Sequence, residues 1–517
     1  MDKTKGRLSI IMDKVVNPYP TTYYISPITY HEKTEFFIMS KTAITPTRNE
    51  NFSEWYQNVI AAADLAENSP SAGSMTLKPY GWAIWELMQS ELDKRIKANG
   101  VQNVQFPTLI PLEYFNREAE HVEGFAKESM IVTHHRLKMI DGRLQPDPES
   151  KLTEPYIMRP TSETIIGEAM SRWVQSYRDL PMKINQWTSV FRWEMRPRIF
   201  LRTREFFWQE GHNVFATAAE ARADALKMHR VYNDYMTDVL AIDSIIGEKT
   251  PEERFAGADH TYTREQIMQD GKALQVGTSH DLGQHFSKSF GIKFLGADGK
   301  LEYAYTTSWG TTSRMIGSVI MTHGDDDGLI LPPMIAPYQA VIIPIVRDEN
   351  AKKLNKYAEK IGKKLQKKGV RVWVDTSDAR TADKIWKWIK RGVPLRVEVG
   401  EREMESETAT ITRRDIGRPS QKTIALDELF KTAGAILKQI QSDMLNAVTA
   451  RNKTMIHDVA NLAELSSALA NGKIGFFRLP YAATLAPEFD TLMDEYKISR
   501  RCLDESDPSF VFVAKSY

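Results

Sequence analysis

Apolar positions recur with helical spacing in the first clearly patterned part of the chain. Between Asn51 and Glu67 they mark one helix face, and a longer helical pattern opens at Pro79 and stops at Asn99-Gly100. The segment 101–110 then predicts an extended strand. Because a proline cannot donate to a central ladder, Pro107 makes this an edge strand, a position that suits a subunit interface.

Residues 156–336 predict short strands that alternate with helices. In chain order we expect helix 161–177, strands 183–194 and 204–215 paired around a loop, helix 218–240, and strands 274–282, 301–307 and 329–331. Hairpins in this mixed order favour an antiparallel sheet with helices over a Rossmann arrangement. We therefore expect an α+β domain at residues 43–336, after an N-terminal extension at residues 1–42.

Beyond a linker at 333–337 the pattern changes to βαβ. The expected elements are strand 339–346, helix 351–368, strand 370–374, helix 381–391 and strand 395–399. This order predicts an α/β domain at residues 337–436 with a mainly parallel sheet. A helix at 435–450 leads into a small α+β C-terminal domain at 437–517, whose last strand runs to Tyr517.

Composition narrows the class of protein. Of the 517 residues, 42% are apolar and 26% are charged, which is typical of a soluble globular protein. No apolar run reaches the length of a membrane span, so we expect no membrane association. A net charge of +1 argues against a polycationic nucleic-acid binder, and any RNA contact must come from local patches. With Cys502 as the single cysteine, an intramolecular disulfide and a multi-cysteine zinc site are excluded.

Residues 1–38 do not fit the pattern of a targeting signal. They lack a continuous apolar region and carry acidic residues. Met39 precedes the first well-patterned sequence, which makes it a candidate start.

The segment 191–212 concentrates arginines, carboxylates and large aromatic residues. A site that binds a triphosphate, a purine ring and a small ammonium ion together needs these side chains. Arginine offers a fixed fork of donors to phosphate oxygens, Phe206 can stack on a base, and Glu210 can pair with a cation. The alternative is a strand–loop–strand with surface salt bridges.

Three motifs carry a resemblance to class II aminoacyl-tRNA synthetases. They are the helix and strand of residues 79–111, the segment 191–212, and the segment 312–317 followed by 321–325. Four further short sequence motifs, which we call words, lie at 159–163, 208–212, 277–280 and 308–310. With them, residues 43–517 resemble prolyl-tRNA synthetase of the archaeal/eukaryotic-like type. This resemblance implies a cytoplasmic, homodimeric ligase with a class II catalytic domain, an anticodon-binding domain and a C-terminal domain.

The resemblance implies two groups of substrate-binding residues in the catalytic domain. Those expected to bind L-proline are Thr161, Glu163, Arg192, Trp208, Glu210, His212, His280 and Trp309. Those expected to bind ATP, together with Mg²⁺, are Arg192, Glu194, Arg202, Thr203, Phe206, Gln275, Thr278, Thr312 and Arg314. Arg192 and Arg314 are the expected catalytic residues. Because the proline carboxylate that attacks the α-phosphate is already ionised, no general base is needed, and positioning and charge stabilisation should suffice.

The resemblance places recognition of tRNA(Pro) in residues 337–436. Arg396 and Arg402 match basic positions of the family there and could read guanine edges, whereas Ile389 stands where the family commonly has an acidic residue. The segment 351–371 carries nine Lys or Arg against one Glu, which suits a phosphate-facing surface. A solvated amphipathic helix is the alternative for this segment.

Two features that relatives carry are expected to be missing here. Only residues 213–311 separate the second and third motifs, too few for the large editing insertion of bacterial-type relatives. We therefore expect some mischarging with alanine or cysteine that is not corrected within the chain. Many relatives bind zinc through C-terminal cysteines, and here we expect no zinc. The resemblance also suggests that Tyr517 packs back toward the catalytic domain, with a plain strand end as the alternative.

Two other functions stay open at this point. One is another enzyme of the same subclass, such as a threonyl or histidyl synthetase. The other is a non-catalytic, synthetase-like RNA-binding or regulatory protein, which retention of Arg192, Glu194 and Arg314 disfavours.

Overall fold

The structure is a computed structural model that describes residues 42–116, 128–347 and 349–517. The predicted N-terminal extension, apart from Thr42, lies outside these ranges, as does the candidate start Met39. Within them, no helix has both the length and the hydropathy needed to span a bilayer.

The first region begins with two helices whose buried faces join the main core. Pro79 opens the longer helix without loss, since the first helical N–H has no partner within the helix. The elements are α1 (Phe52–Ala62), β1 (Ala66–Asn68), β2 (Met75–Leu77), α2 (Pro79–Lys97), β3 (Gln102–Asn103), β4 (Leu109–Pro111), α3 (Leu112–Asn116), β5 (Met130–His134), β6 (Leu137–Ile140), β7 (Arg143–Pro146), β8 (Lys151–Met158) and α4 (Glu163–Trp173).

The single strand predicted at 101–110 was wrong. Only β3 and β4 form there, and they belong to different sheets. The Arg159 guanidinium explains the break, because its Nη1 donates to the carbonyl oxygens of Phe106 and Pro107 at 3.1 Å each. These carbonyls therefore face a side chain instead of a neighbouring strand. As predicted, β3 forms the edge of its sheet, where it pairs with β9.

The next region builds the central sheet. Its elements are β9 (Met182–Phe191), β10 (Glu205–Phe215), α5 (Ala218–Asp238), β11 (Ile245–Glu248), β12 (His260–Ile267), β13 (Ala273–Asp281), α6 (His285–Phe290), β14 (Lys293–Leu295), β15 (Leu301–Tyr303), β16 (Tyr305–Thr312) and α7 (Arg314–His323). Seven strands order as β11-β12-β13-β16-β10-β9-β3, and only β3–β9 is parallel. The predicted antiparallel α+β sheet and its central hairpin are confirmed.

Three smaller differences from the prediction concern where elements begin and end. Helix α4 starts at Glu163 and not at residue 161, because the Thr161 and Ser162 hydroxyls donate to the carboxylates of Glu163 and Glu210. The strand predicted at 301–307 is divided between β15 and β16. Residues 329–331 form no strand, since the N–H groups of Leu329 and Leu331 donate to carbonyls at 390 and 392.

The following region is the predicted α/β layer structure. Its elements are β17 (Ala340–Pro344), α8 (Ala351–Gln366), β18 (Val372–Val374), α9 (Thr381–Lys390), β19 (Leu395–Val399), α10 (Glu401–Glu405), β20 (Thr408–Arg413) and β21 (Lys422–Ala425). The sheet order is β18-β17-β19-β20-β21, parallel among the first three strands and antiparallel beyond β19. The sheet is therefore mixed and not mainly parallel.

The last region is an α+β unit built on a four-stranded sheet of order β22-β23-β25-β24. Its elements are α11 (Leu426–Thr454), β22 (Ile456–Asp458), α12 (Leu462–Ala470), β23 (Phe476–Pro480), α13 (Pro487–Tyr496), β24 (Ile498–Leu503) and β25 (Phe510–Lys515). The domain boundary predicted at 436/437 lies inside helix α11. That helix packs on the α/β core through its first half and leads into β22 at its end.

Candidate active site

A cavity of about 470 Å³ opens on one face of the seven-stranded sheet. Side chains alternate along β10: Phe206, Trp208, Glu210 and His212 border the cavity, while Gln209 turns to the other face and bonds the Tyr232 hydroxyl of α5 at 2.7 Å. All sixteen site residues predicted in the catalytic region border this one cavity: Thr161, Glu163, Arg192, Glu194, Arg202, Thr203, Phe206, Trp208, Glu210, His212, Gln275, Thr278, His280, Trp309, Thr312 and Arg314.

Glu210 and His212 form a buried ion pair at the floor of the cavity. His212 Nε2 lies 3.0 Å from Glu210 Oε2, and Gln186 Nε2 donates to Glu210 Oε1 at 2.6 Å. Burial alone raises the pKa of Glu210, but the hydrogen bond and charge of His212 outweigh it and lower that pKa. For His212, burial opposes protonation, while the hydrogen bond to Glu210 and the charge of Glu163 raise the pKa. The cavity floor thus holds an ionised carboxylate.

Arg192 lies above this floor. Its Nε donates to the Pro160 carbonyl at 3.1 Å, and its guanidinium carbon is 5.5 Å from the Phe206 ring and 5.7 Å from the Trp208 ring. Enclosure lowers the pKa of Arg192, against the opposing charge of Glu163. A cation held between aromatic rings and carboxylates is suited to bind a carboxylate or phosphate oxygen.

His280 borders the cavity as a neutral group. Burial lowers the pKa of His280 to about 3, and the charge of His212 lowers it further. Its Nδ1 is 3.0 Å from the Thr261 hydroxyl, and its ring is 4.7 Å from that of Phe255. An uncharged imidazole here does not repel an ammonium group.

Trp309 borders the cavity from beneath. Its indole packs under Gly211, where a Cβ would come within 2.1 Å of the ring, and it meets Tyr232 edge-on at 6.3 Å. The indole belongs to the core between the sheet and α5. Any contact of Trp309 with a ligand would therefore be made from below the strand, not from the open side.

The other end of the cavity gathers arginines around the loop between β9 and β10. Arg314, the first residue of α7, donates from Nε to the Leu201 carbonyl at 3.1 Å and from Nη1 to the Gln275 carbonyl at 3.3 Å. Burial lowers the pKa of Arg314 to about 10, and the charge of Arg202 adds to the shift, so Arg314 stays charged at neutral pH. Arg202 Nη1 lies 3.9 Å from Glu194 Oε2. This end suits a polyanion.

Several residues that border the cavity escaped the sequence analysis. They include Glu128, Lys249, Glu253, Arg254, Phe255 and Thr261. Most lie on the segment that follows β11, which has no periodic pattern and matches none of the words above. A run of charged residues from 248 to 254 was the one signal available in the sequence.

The C-terminal residue packs where the resemblance suggested, and that prediction is confirmed. The Tyr517 hydroxyl donates to Asp270 Oδ2 at 2.6 Å, and Arg202 Nη2 donates to the Tyr517 main-chain oxygen at 2.9 Å. Lys272 Nζ lies 4.8 Å from the Tyr517 ring centre. The chain end thus contacts the loop that carries Arg202.

The two predicted anticodon residues lie in the α/β region. Arg396, on β19, donates from Nε to Glu398 Oε1 at 2.6 Å and from Nη2 to the Thr412 hydroxyl at 3.3 Å. Arg402 is exposed on α10. Six exposed lysines of α8 form no ion pair within the described ranges: Lys352, Lys353, Lys356, Lys360, Lys363 and Lys364.

Comparisons with known proteins agree with this geometry. A model of the class II tRNA synthetase core domain (G, H, P, S and T) matches residues 147–323, and an anticodon binding domain model matches residues 339–435. The chain is 48% identical over 475 residues to the proline–tRNA ligase of Protochlamydia amoebophila, covering 90% of this chain and 93% of that one. It is 50% identical over 469 residues to that of Paramagnetospirillum magneticum, covering 89% and 93%.

A solved structure gives the same result. The prolyl-tRNA synthetase of Cryptosporidium parvum, complexed with halofuginone and AMPPNP, superposes with a TM-score of 0.84 at 34% identity, covering 92% of this chain and 99% of that one.

The antiparallel sheet, the arginine- and carboxylate-lined cavity and the two matched domain models define a class II aminoacyl-tRNA synthetase. The identities over nine-tenths of the chain narrow this further. The chain belongs to the prolyl-tRNA synthetases, and its activity is that of a proline–tRNA ligase. This decides against the threonyl, histidyl and non-catalytic alternatives.

Proposed function

We propose that the chain ligates L-proline to tRNA(Pro) in two steps. Proline and ATP first form prolyl-adenylate and release pyrophosphate, and the prolyl group then passes to the 3′ end of the tRNA. The observation that carries this proposal is a single cavity that joins a buried carboxylate, Glu210, to the arginines Arg192 and Arg314. One end suits an ammonium group and the other a polyphosphate.

Proline would lie with its ammonium group toward the carboxylates of Glu163 and Glu210. The Thr161 hydroxyl, which donates to Glu163, lies at the same end and would contribute to this subsite. Trp208, His212 and the neutral His280 would surround the ring, with Trp309 below the strand. Arg192 would hold the proline carboxylate beside the α-phosphate, because its guanidinium stands above the same floor.

ATP would occupy the end of the cavity near α7. Phe206 and Arg314 would enclose the adenine and Glu194 would contact its edge. The polar contacts would come from Arg202, Thr203, Gln275, Thr278 and Thr312. Mg²⁺ in nucleotide enzymes usually keeps several waters and is held by one or two carboxylates with the substrate phosphates. That habit fits this cavity, because within the described ranges no three His, Cys, Asp or Glu side chains are grouped as a metal cage.

The adenylation step would rest on positioning and charge. The attacking carboxylate is already ionised, so the residues need only bring it in line with the α-phosphate and stabilise the developing charge. Arg192 and Arg314 would supply that stabilisation from fixed positions, since both guanidinium groups are held by main-chain carbonyls.

We further propose that the chain does not edit mischarged products within itself. Residues 213–311, between the second and third motifs, are occupied by elements of the central sheet and its helices, from the end of β10 to β16. A pocket that selects by size rejects a side chain smaller by one methylene only about 10–200-fold. Alanine and cysteine should therefore be activated weakly.

The α/β region would read the tRNA anticodon through Arg396 and Arg402. The lysines of α8 would add a phosphate-facing surface, since none of the six is neutralised by a carboxylate in the described ranges. With Cys502 the single cysteine, we expect no zinc in residues 437–517.

We expect a homodimer that acts in the cytoplasm. Three large apolar side chains on one face of the β6–β7 hairpin are 61–65% exposed, and they form what we term the hairpin surface: Leu137, Met139 and Leu144. Leu109, on the predicted interface strand, is 41% exposed as well. Exposed apolar groups gathered on adjoining strands favour contact with another protein surface. The strand β4, which carries Leu109, belongs to the first class II motif.

The test is ATP–pyrophosphate exchange with each of the twenty amino acids, without tRNA. Exchange dominated by proline, with weaker alanine and cysteine, is expected. Silence with all twenty from folded protein would overturn the adenylation step. Complete rejection of alanine would contradict the expected mischarging while leaving the main activity in place.

A further inference from the structure

One wall of the active-site cavity is held by the C-terminal region. This wall, residues 249–255, follows β11 and borders the cavity through Lys249, Glu253, Arg254 and Phe255. It contains a single 3-10 turn at Pro251–Glu253 and no longer element of its own. Its position therefore comes from contacts with other parts of the chain. On β12, Thr261 accepts from the Lys249 N–H at 2.8 Å and from the Phe255 N–H at 3.1 Å, and the other contacts lead to the C-terminal region.

The first such contact is a buried charge cluster. Glu265 on β12 is fully buried, and its Oε1 lies 2.8 Å from Lys249 Nζ. Its Oε2 accepts from Arg501 of β24, at 3.0 Å from Nε and 2.7 Å from Nη2. A carboxylate without solvent needs such partners, and removal of one leaves charge uncompensated. Arg501 therefore keeps Glu265 ionised and in place beneath Lys249.

Two further contacts come from the same region. The Tyr481 hydroxyl lies 3.2 Å from both carboxylate oxygens of Glu252, inside the wall. Next to the wall, Gly247 packs so closely on β24 that a Cβ would come within 2.2 Å of the Leu503 carbonyl. The wall is thus held at Lys249 and at Glu252, and the strand that leads into it is held at Gly247.

The wall presents Phe255 to the amino-acid end of the cavity. The Phe255 ring lies 4.7 Å from that of His280, one of the residues expected to surround proline. A shift of the wall would move this ring relative to His280. At the nucleotide end, Arg314 bonds the Leu201 carbonyl and Arg202 bonds the main-chain oxygen of Tyr517, and neither contact involves residues 249–255.

We propose that Arg501 and Tyr481 are positioning residues for proline binding. Arg501 acts through Glu265 and Lys249, and Tyr481 acts through Glu252. Together they make the C-terminal region part of the amino-acid specificity of the enzyme. This inference rests on the proposed placement of proline beside His280.

The chain supplies a control arginine in the same sheet. Arg478 on β23 bonds inside the C-terminal region, to Asp504 Oδ2 at 2.5 Å, and its guanidinium carbon lies 3.9 Å from the Phe510 ring centre. Arg478→Met should therefore disturb the C-terminal region without removing a contact to the wall. Arg501→Met removes the contact with Glu265, and Arg501→Lys keeps a positive charge at this position.

The experiment compares these variants in ATP–pyrophosphate exchange, with the KM for proline, the KM for ATP and kcat measured separately. In Arg501→Met we expect the KM for proline to rise about tenfold while the KM for ATP changes less than about twofold. Arg501→Lys should recover part of this loss. Arg478→Met should leave the KM for proline within about twofold of the wild-type value, even if thermal stability falls in both variants.

An unchanged KM for proline in Arg501→Met, or the same rise in Arg478→Met, overturns the proposal. An equal rise in both KM values does so too, since it reports general damage. If Arg501→Met does not fold, Tyr481→Phe decides: about a fivefold rise in the KM for proline supports the positioning role, and a change within about twofold overturns it. Failure of the proposed function is distinguishable, because wild-type protein would then show no proline-dependent exchange.

Discussion

At the scale of single residues, burial and hydrogen-bond partners decide which side chains of the cavity are charged. Glu210 stays ionised because His212 and Gln186 compensate its burial. No carboxylate is among the described groups that shift the pKa of His280. Burial lowers that pKa to about 3, and the imidazole is therefore neutral. The amino-acid end therefore offers an ammonium group the carboxylates of Glu163 and Glu210, and His280 adds no further positive charge to that of His212.

Replacement of Arg192 tests the predicted charge stabilisation. Arg192→Ala should lower proline-dependent exchange about 10³-fold, the upper range for losing one preorganised donor at a reacting group. Circular dichroism should show an intact fold. Arg196→Ala, on the exposed part of the same loop, serves as the control and should retain activity. Retained activity in Arg192→Ala would contradict the assigned role.

The buried histidines predict how stability depends on pH. Burial lowers the pKa of His229 to about 3, and the charge of Arg264 adds to the shift; its Nε2 donates to the Thr263 carbonyl at 3.0 Å. An unfolded histidine titrates near 6.5. Between these values the unfolded chain binds the extra proton, so stability falls as pH drops below about 6.5, by up to about 1.4 kcal/mol per pH unit for this group.

The measurement is the melting temperature between about pH 7.5 and pH 5. This interval crosses about pH 6.5, below which the unfolded chain binds a proton at residue 229 that the folded chain does not. His229→Gln keeps a donor toward Thr263 but cannot titrate. Its melting temperature should fall less on acidification than that of the wild type. Equal slopes for the two proteins would show that His229 does not contribute.

At the scale of elements, amphipathic helices and contiguous motif words could be predicted and irregular segments could not. The strand at Leu395–Val399 and the start of α8 at Ala351 agree with the prediction, since alternation and helical spacing are local signals. The break at 101–110 was missed because its cause, Arg159, lies far along the chain. The cavity wall 249–255 was missed because Arg501 and Tyr481 hold it from the C-terminal region.

The pairing of β10 with β16 gives a prediction for one glycine. Gly211 faces Trp309 across the two strands, and an added Cβ would lie 2.1 Å from the indole. Gly211→Ala should displace Trp309, cost about 1–3 kcal/mol of stability, and reduce kcat/KM for proline. Gly434→Ala on α11 is the control, because no atom lies within 4 Å of its added Cβ and alanine favours a helix. Equal melting temperatures for Gly211→Ala and wild type would contradict this packing.

At the scale of the whole molecule, charged contacts connect the outer regions to the cavity. Arg414 of the α/β region binds both carboxylate oxygens of Asp325, just beyond α7, at 2.5 and 2.7 Å. Tyr517 meets Arg202, and Arg501 meets Glu265. The first two contacts end on segments that carry or lead to the predicted residues Arg202 and Arg314, and the third ends beside Lys249, which borders the cavity. The geometry of the cavity therefore depends on all three regions, although the sixteen residues that border it as predicted come from one.

The hairpin surface predicts the oligomeric state. If a second copy covers it, charges placed there should separate the subunits, because even a paired charge can lose more hydration on burial than its partner returns. Met139 and Leu144 face each other across β6 and β7, so Met139→Lys with Leu144→Glu keeps an opposite-charge pair within the hairpin. Light scattering should give a dimer for the wild type and a monomer for this variant. Leu485→Glu, at a 57% exposed apolar residue of the C-terminal region, should remain a dimer. A wild-type monomer, or a double variant that stays dimeric, would rule out the hairpin surface as the contact between subunits.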